Sequence, residues 1–141
     1  MDNCLLAVDP GEKRIGLALS DPGGIIGRPF TVIGHVSRLV DAAAIANLAQ
    51  ENEVKLIIIG QALNSDGEVG PAARKAARLA AALRTQTAIP VVLWDEGGTT
   101  VSARETLVEM GIPRSRRGGH QDALAAALIL KSYIDAHLEA E

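Results

Sequence analysis

The chain changes rhythm partway along, and that change constrains its fold more than any other feature. Its opening part carries short apolar runs at 5–8, 15–19 and 30–33, and residues 11–14 make a tight connection between the first two, as in a hairpin. After Ser37, a plausible helix cap, residues 38–51 place Leu39, Ala42, Ala43, Ala46 and Ala49 at helical spacing. Strand and helix then alternate. Leu56-Ile57-Ile58-Ile59 and Val91-Val92-Leu93-Trp94 are continuous apolar runs, the signature of strands buried on both faces. A helix opening at Pro71 follows the first run and extends to about Gln86. Residues 101–110 read as another helix, stopped by Gly111 and Pro113, and 121–138 as a last one.

The expected order is β-β-β-α-β-α-β-α-α. Short connections make the first strands antiparallel, whereas helical crossovers make the later ones parallel to one another. The expectation is an α/β chain with a mixed five-stranded sheet, order 3-2-1-4-5, flanked by helices. That order matches the RNase H-like fold, with the first strand central beside the fourth. No linker, repeat or low-complexity block divides the 141 residues, so one domain spanning 1–141 is expected. A 48% hydrophobic content suffices for its core. The net charge of only −3 excludes a globally basic nucleic-acid coat, so any such surface must be local. The single cysteine, Cys4, excludes an internal disulfide and reads as a buried thiol. Aromatics are 2% of the chain, too few for rows of rings stacking on single-stranded bases. With no basic leader and no apolar stretch of about 18 residues, the chain reads as cytoplasmic, without a membrane span.

Fold alone does not establish chemistry, and the acids carry that argument. Asp9 ends the first strand, and Asp95 and Glu96 end the fifth. In open α/β sheets, sites form beyond the carboxyl ends of parallel strands. In the order 3-2-1-4-5 one strand separates these two ends, a gap of roughly 10 Å at about 4.8 Å per strand. Asp122 lies in the first turn of the last helix, on the side shared by Ala125, Ala126, Ile129 and Tyr133, with Lys131, Ser132 and Asp135 opposite. An acid turned toward an apolar sheet needs a partner, and a shared metal would be one. Each acid has a plainer use as well: Asp9 in turn chemistry, Asp122 as a helix-capping acid. The combination, with no competing histidine-cysteine set, favours catalysis by Asp9, Asp95 or Glu96, and Asp122. Such hard oxygen donors select Mg²⁺ or Mn²⁺, with Asp9, Glu96 (or Asp95) and Asp122 as metal ligands.

Basic residues supply the local nucleic-acid surface. No acid occurs from Val69 to Trp94, while Arg74, Lys75, Arg78 and Arg84 are basic, the first three forming a stripe on one helix face. Arg114, Arg116 and Arg117 precede Gly118-Gly119 and Asp122, and Lys13 and Arg14 follow Asp9. All of these except Arg84 are candidate phosphate contacts. His120 could carry a proton beside Asp122, although an exposed bystander is the plainer reading.

These residues resemble the YqgF/RuvX family of Holliday junction resolvase-like proteins and pre-16S rRNA nucleases, nearly end to end. The likeness consists of Ala7-Val8-Asp9-Pro10-Gly11 with Lys13-Arg14-Ile15-Gly16, and Ile58-Ile59-Gly60 leading into Leu63-Asn64-Ser65-Asp66-Gly67. It continues in Asp95-Glu96 with Thr99-Thr100, and in Asp122-Ala123-Leu124-Ala125-Ala126 with Leu128-Ile129-Leu130. The resemblance implies an RNase H-like nuclease with Asp9, Asp95 or Glu96, and Asp122 as catalytic acids, acting on structured RNA or branched DNA as a monomer or homodimer. Two departures bear on rate or substrate choice: Gly97 stands where the family usually has arginine, and Gln61-Ala62 where it has Leu-Pro. The fourth strand ends in Gly60 rather than an acid, so the fifth must supply that carboxylate.

Two other functions compete. A non-catalytic nucleic-acid-binding module on the same sheet would bind in a salt-sensitive way without turnover. A phosphate or nucleotide binder is weaker, because neither Asp9-Pro10-Gly11 nor the glycine-containing loop at 60–70 matches a P-loop or dinucleotide fingerprint.

Overall fold

A computed structural model describes residues 3–61, 70–95 and 119–139. The strands are β1 (Leu5–Pro10), β2 (Arg14–Ser20), β3 (Gly27–Gly34), β4 (Leu56–Gln61) and β5 (Val91–Asp95). The helices are α1 (Arg38–Glu51), α2 (Pro71–Gln86) and α3 (Gly119–Glu139). The helix expected at 101–110 lies outside the described residues.

All five strands join one sheet in the order β3-β2-β1-β4-β5. The β1/β2 and β2/β3 pairs are antiparallel, and the β1/β4 and β4/β5 pairs parallel. This is the RNase H-like order that the change of rhythm predicts. Most strands run one to three residues beyond the apolar runs, because backbone pairing continues where the side chains are no longer apolar. Asp9 thus lies within β1 rather than at its last position.

Strand alternation divides the interior into two layers. Leu6 and Val8 of β1, Ile15 and Leu17 of β2, and Ile57 and Ile59 of β4 pack under α1 and α2. Ala7, Ala18 and Ile58 point the other way, against Ala126, Ala127, Leu130 and Ile134 of α3. The continuous apolar run of β4 is thereby explained, since both of its faces are covered.

Local signals behave as their chemistry requires. Ser37 caps α1, its hydroxyl accepting the Val40 N–H at 3.3 Å. At the other end the Val54 N–H reaches the Ala49 carbonyl and the Glu53 N–H the Gln50 carbonyl, a Schellman closure. Glu53 adopts φ 55° there, where glycine is usual. Cys4 is buried and its thiol points at the Ser20 carbonyl, in keeping with a structural thiol. Among the described residues no helix is long and apolar enough to cross a membrane.

Candidate active site at the carboxyl end of the sheet

Asp9 sits near the carboxyl end of the central strand, half-buried, and pairs across to Gly16 of β2. Ala7, two residues earlier, faces α3, so the pleat turns Asp9 toward α3 as well. Val8 pairs with Ile59, and one further step along that register sets Asp9 beside Gly60. Its cross-strand neighbour on β2 is thus a glycine, and the β1/β4 register, extended by that one step, points to a second, so neither adjoining strand sets a side chain directly beside Asp9. Gly60 in turn pairs with Trp94, and Gln61 with Asp95.

The fifth strand separates its two acids. Val92 and Trp94 pack on the α3 side, while Val91 and Leu93 pack on the α1/α2 side. By the same alternation Asp95 falls on the α1/α2 side, away from Asp9, and it is exposed. Sequence reasoning put both members of the Asp95-Glu96 pair forward, and of the two the described residues include Asp95. Glu96 lies outside the described residues. Asp122 belongs to the first turn of α3 by its backbone, four residues before buried Ala126 and seven before buried Ile129, and its side chain is outside the described set. Among the described residues no group of three or more acid, histidine or cysteine side chains gathers at one point.

The outward side of α3 differs from expectation at one position. Lys131 and Asp135 are exposed and ion-paired, but Ser132 is half-buried and accepts the Trp94 indole N–H at 3.1 Å. Trp94 also meets Tyr133 edge to face at 5.3 Å, and Tyr133 stacks on His137 at 3.9 Å. Burial pushes the Tyr133 hydroxyl above its ordinary pKa. Two of the three aromatic residues thus anchor α3 to β5, and the i,i+4 spacing of Tyr133 and His137 was the available sequence signal.

The candidate cations divide by role. Lys75 donates to the Gly11 carbonyl at 3.0 Å, tying α2 to the β1–β2 turn. Arg84 donates to the Val91 carbonyl at 2.7 Å and braces β5. Lys13, Arg14, Arg74 and Arg78 are exposed. Arg114, Arg116 and Arg117 lie outside the described residues, as do the backbone neighbours of Glu96 at 97–100; the side chain of His120 is likewise outside the described set.

A cleft of about 460 Å³ opens on the α1/α2 side, beside the residue that follows Asp9. Its wall includes Pro10, Gly11, His35, Arg38, Asp41, Lys75 and Arg78. Buried Asp41 accepts the Val36 N–H at 3.0 Å and pairs with the His35 Nδ1. Sequence reasoning did not single out His35, Arg38 or Asp41. Asp41 looks like an ordinary first-turn acid, and nothing local signals that it anchors the preceding histidine.

Residues 3–136 match the RuvX family, described as Holliday junction resolvase. A relative from Syntrophus aciditrophicus (strain SB), named "Putative pre-16S rRNA nuclease", is 42% identical over 132 residues, covering 94% of this chain and 88% of its own. One of the same name from Myxococcus xanthus (strain DK1622) is 39% identical over 132 residues, 94% of this chain and 87% of its own. In structure the chain is similar to T. thermophilus RuvC in complex with Holliday junction substrate, with TM-score 0.59 and 14% identity over 96% of each chain. At that identity the likeness concerns the fold, which is RNase H-like.

Proposed function

Because the chain belongs to the RuvX (Holliday junction resolvase) family, we propose that it is a divalent-metal-dependent endonuclease that hydrolyses phosphodiesters in structured nucleic acid. The substrate is a ribosomal precursor such as pre-16S rRNA, or a branched DNA. The observation that carries this reading is the placement of Asp9: a carboxylate on the central strand, facing the last helix, with glycines on both sides. An ionised acid set in such a gap is suited to receive cations and a phosphate together.

The residues fit a metal by donor chemistry and by space. Asp9, Glu96 and Asp122 are the ligands: Asp9 from β1, Glu96 one step beyond β5 and Asp122 from the first turn of α3. Glu96 is preferred over Asp95 because alternation turns Asp95 away from the Asp9 face. When bound, Mg²⁺ or Mn²⁺ supplies Lewis-acid stabilisation at the attacking and leaving oxygens of an in-line displacement. The chain itself keeps Asp9 aimed by its place in the sheet and keeps the neighbouring strands clear of side chains. Lys13 and Arg14, at the turn after Asp9, steer the polyanion toward that edge, and Arg74 and the arginines at 114, 116 and 117 extend the basic surface. The protein is a single domain acting in the cytoplasm.

A cleavage panel tests the proposal: pre-rRNA, a four-way DNA junction and single strands, each with Mg²⁺, Mn²⁺ or chelator. The expected result is metal-dependent cutting of a structured substrate by wild type, lost in Asp9→Asn and Glu96→Gln but kept within a few-fold in Asp95→Asn. Undiminished cutting by Asp9→Asn, or in excess chelator, would remove the basis of the reading. Salt-sensitive binding without turnover under any metal would favour the non-catalytic module instead.

A further inference from the structure

The cleft on the α1/α2 side joins two of the candidate phosphate contacts, Lys75 and Arg78, to a cation the sequence did not single out, Arg38. Three cations from two helices line it: Arg38 opens α1, and Lys75 and Arg78 lie in the first half of α2. Among the described residues of its wall the one acid, Asp41, has a side chain only 4% exposed and both oxygens occupied, one by the Val36 N–H and one by His35. Both of its oxygens are thus partnered from within the wall. Lys75 is held in place by the Gly11 carbonyl and keeps further N–H groups for a ligand. Among the described residues Arg38 and Arg78 have neither an ion-pair nor a hydrogen-bond partner. Like charges brought together from separate elements repel, and an anion placed between them would relieve that repulsion. The first turn of α2 adds to the field: its N-cap is Gly70, with no side-chain cap.

The position of the cleft selects among anions. Pro10 lines it, and Asp9, the preceding residue, faces the opposite side of the sheet. A polynucleotide held at Asp9 needs only to pass over the carboxyl edge of β1 to enter the cleft.

We propose that the cleft between the starts of α1 and α2 is a second phosphate site, which takes a backbone phosphate of the nucleic-acid substrate through Arg38, Lys75 and Arg78. This rests on the reading of the chain as a nucleic-acid enzyme and deepens it, because the substrate strand is gripped on both sides of the sheet. A volume of about 460 Å³ admits a nucleotide unit. Arginine forks suit the paired oxygens of a phosphodiester.

The test compares full-length wild type, Arg38→Gln/Arg78→Gln, and Lys55→Gln, an exposed control at the start of β4. Anisotropy with a labelled four-way junction and a structured RNA, in chelator across a salt series, gives affinity and its salt slope. The double variant should bind about tenfold more weakly, with a log–log salt slope smaller by about 1 to 2, while Lys55→Gln leaves the slope unchanged. Thermal unfolding checks that the double variant stays folded; both arginines are exposed, so no core contact is removed. An unchanged slope and affinity in the folded double variant would overturn the proposal. So would a loss confined to tripolyphosphate binding, which would make the cleft a site for small free anions. A fallen slope in a protein that never cleaves would support the cleft and count against the hydrolytic reading, so the two fail separately.

Discussion

The two faces of the sheet are made of different material. Toward α1 and α2 the strands present Leu6, Val8, Ile15, Leu17, Ile57 and Ile59, met by Ile45 and Leu83. Toward α3 they present Ala7, Ala18 and Ile58, with Leu5, Leu56, Val92 and Trp94 partly buried beside them and Gly16 and Gly60 nearer the carboxyl edge. Bulky aliphatic side chains bury the most apolar surface, so the first face carries most of the stability. The alanines and glycines of the central strands on that side let α3 approach closely there. On the proposed function, stability and catalysis fall mainly on opposite sides of one sheet, and substitutions on each side should fail in different ways.

The largest effect belongs to Asp9. Asp9→Asn should lower cleavage at least about a thousandfold, measured by single-turnover kinetics, with thermal stability unchanged or raised as a confined negative charge is removed. A large loss of stability in that variant would erase the distinction between the faces. Leu83→Ala, at a fully buried site under the opposite face, should do the reverse. It should cost about 2–5 kcal/mol in denaturant unfolding while cleavage per folded molecule stays near wild type.

Gly27→Ala sharpens the comparison because it loads the α3 side without touching an acid. A Cβ there would stand 2.8 Å from Leu130 Cδ2 and 2.9 Å from its Cγ, and Leu130 is fully buried. Relief requires α3 to shift. The expected cost is about 1–3 kcal/mol, together with a fall in cleavage, since the same helix carries Asp122. Lost stability with cleavage per folded molecule intact would mean that the placement of α3 does not set the site.

The smallest effect concerns Asp21, in the connection between β2 and β3. Its carboxylate accepts the Ile26 and Ile25 N–H groups, each at 2.8 Å, which hold its pKa below the ordinary 3.8. A lowered folded-state pKa contributes stability above 3.8, and that contribution is lost as pH falls through the lowered value. Asp21→Asn keeps an acceptor oxygen without the titration, so its stability should vary slightly less with pH in the acid range. Identical acid profiles for the two proteins would show that this loop does not contribute.

The degree to which the sequence was legible follows the range of the interactions involved. Ser37, the helical spacing from Leu39 to Ala49, and the continuous runs at 56–59 and 91–94 each speak through neighbours in the same element, and those elements appear where they are expected. Direction followed from connection length, since tight turns favour antiparallel pairing and helical crossovers parallel pairing, while the spatial order followed from matching the element sequence to the RNase H-like fold. The presence of an acid at the end of the central strand was equally open to reading.

What tertiary structure alone decided was lateral. Glycines flank Asp9 because β2 and β4, far apart in the chain, take one particular register beside β1. Asp95 faces away from Asp9 because the pleat phase of β5 is set by which residues that strand buries under each layer. The cationic cleft exists because crossovers bring His35, Arg38 and Asp41 up to Lys75 and Arg78. Periodicity within an element reports its own buried face. It carries no record of what stands across the sheet, because that is settled by packing between segments that meet only in the folded chain.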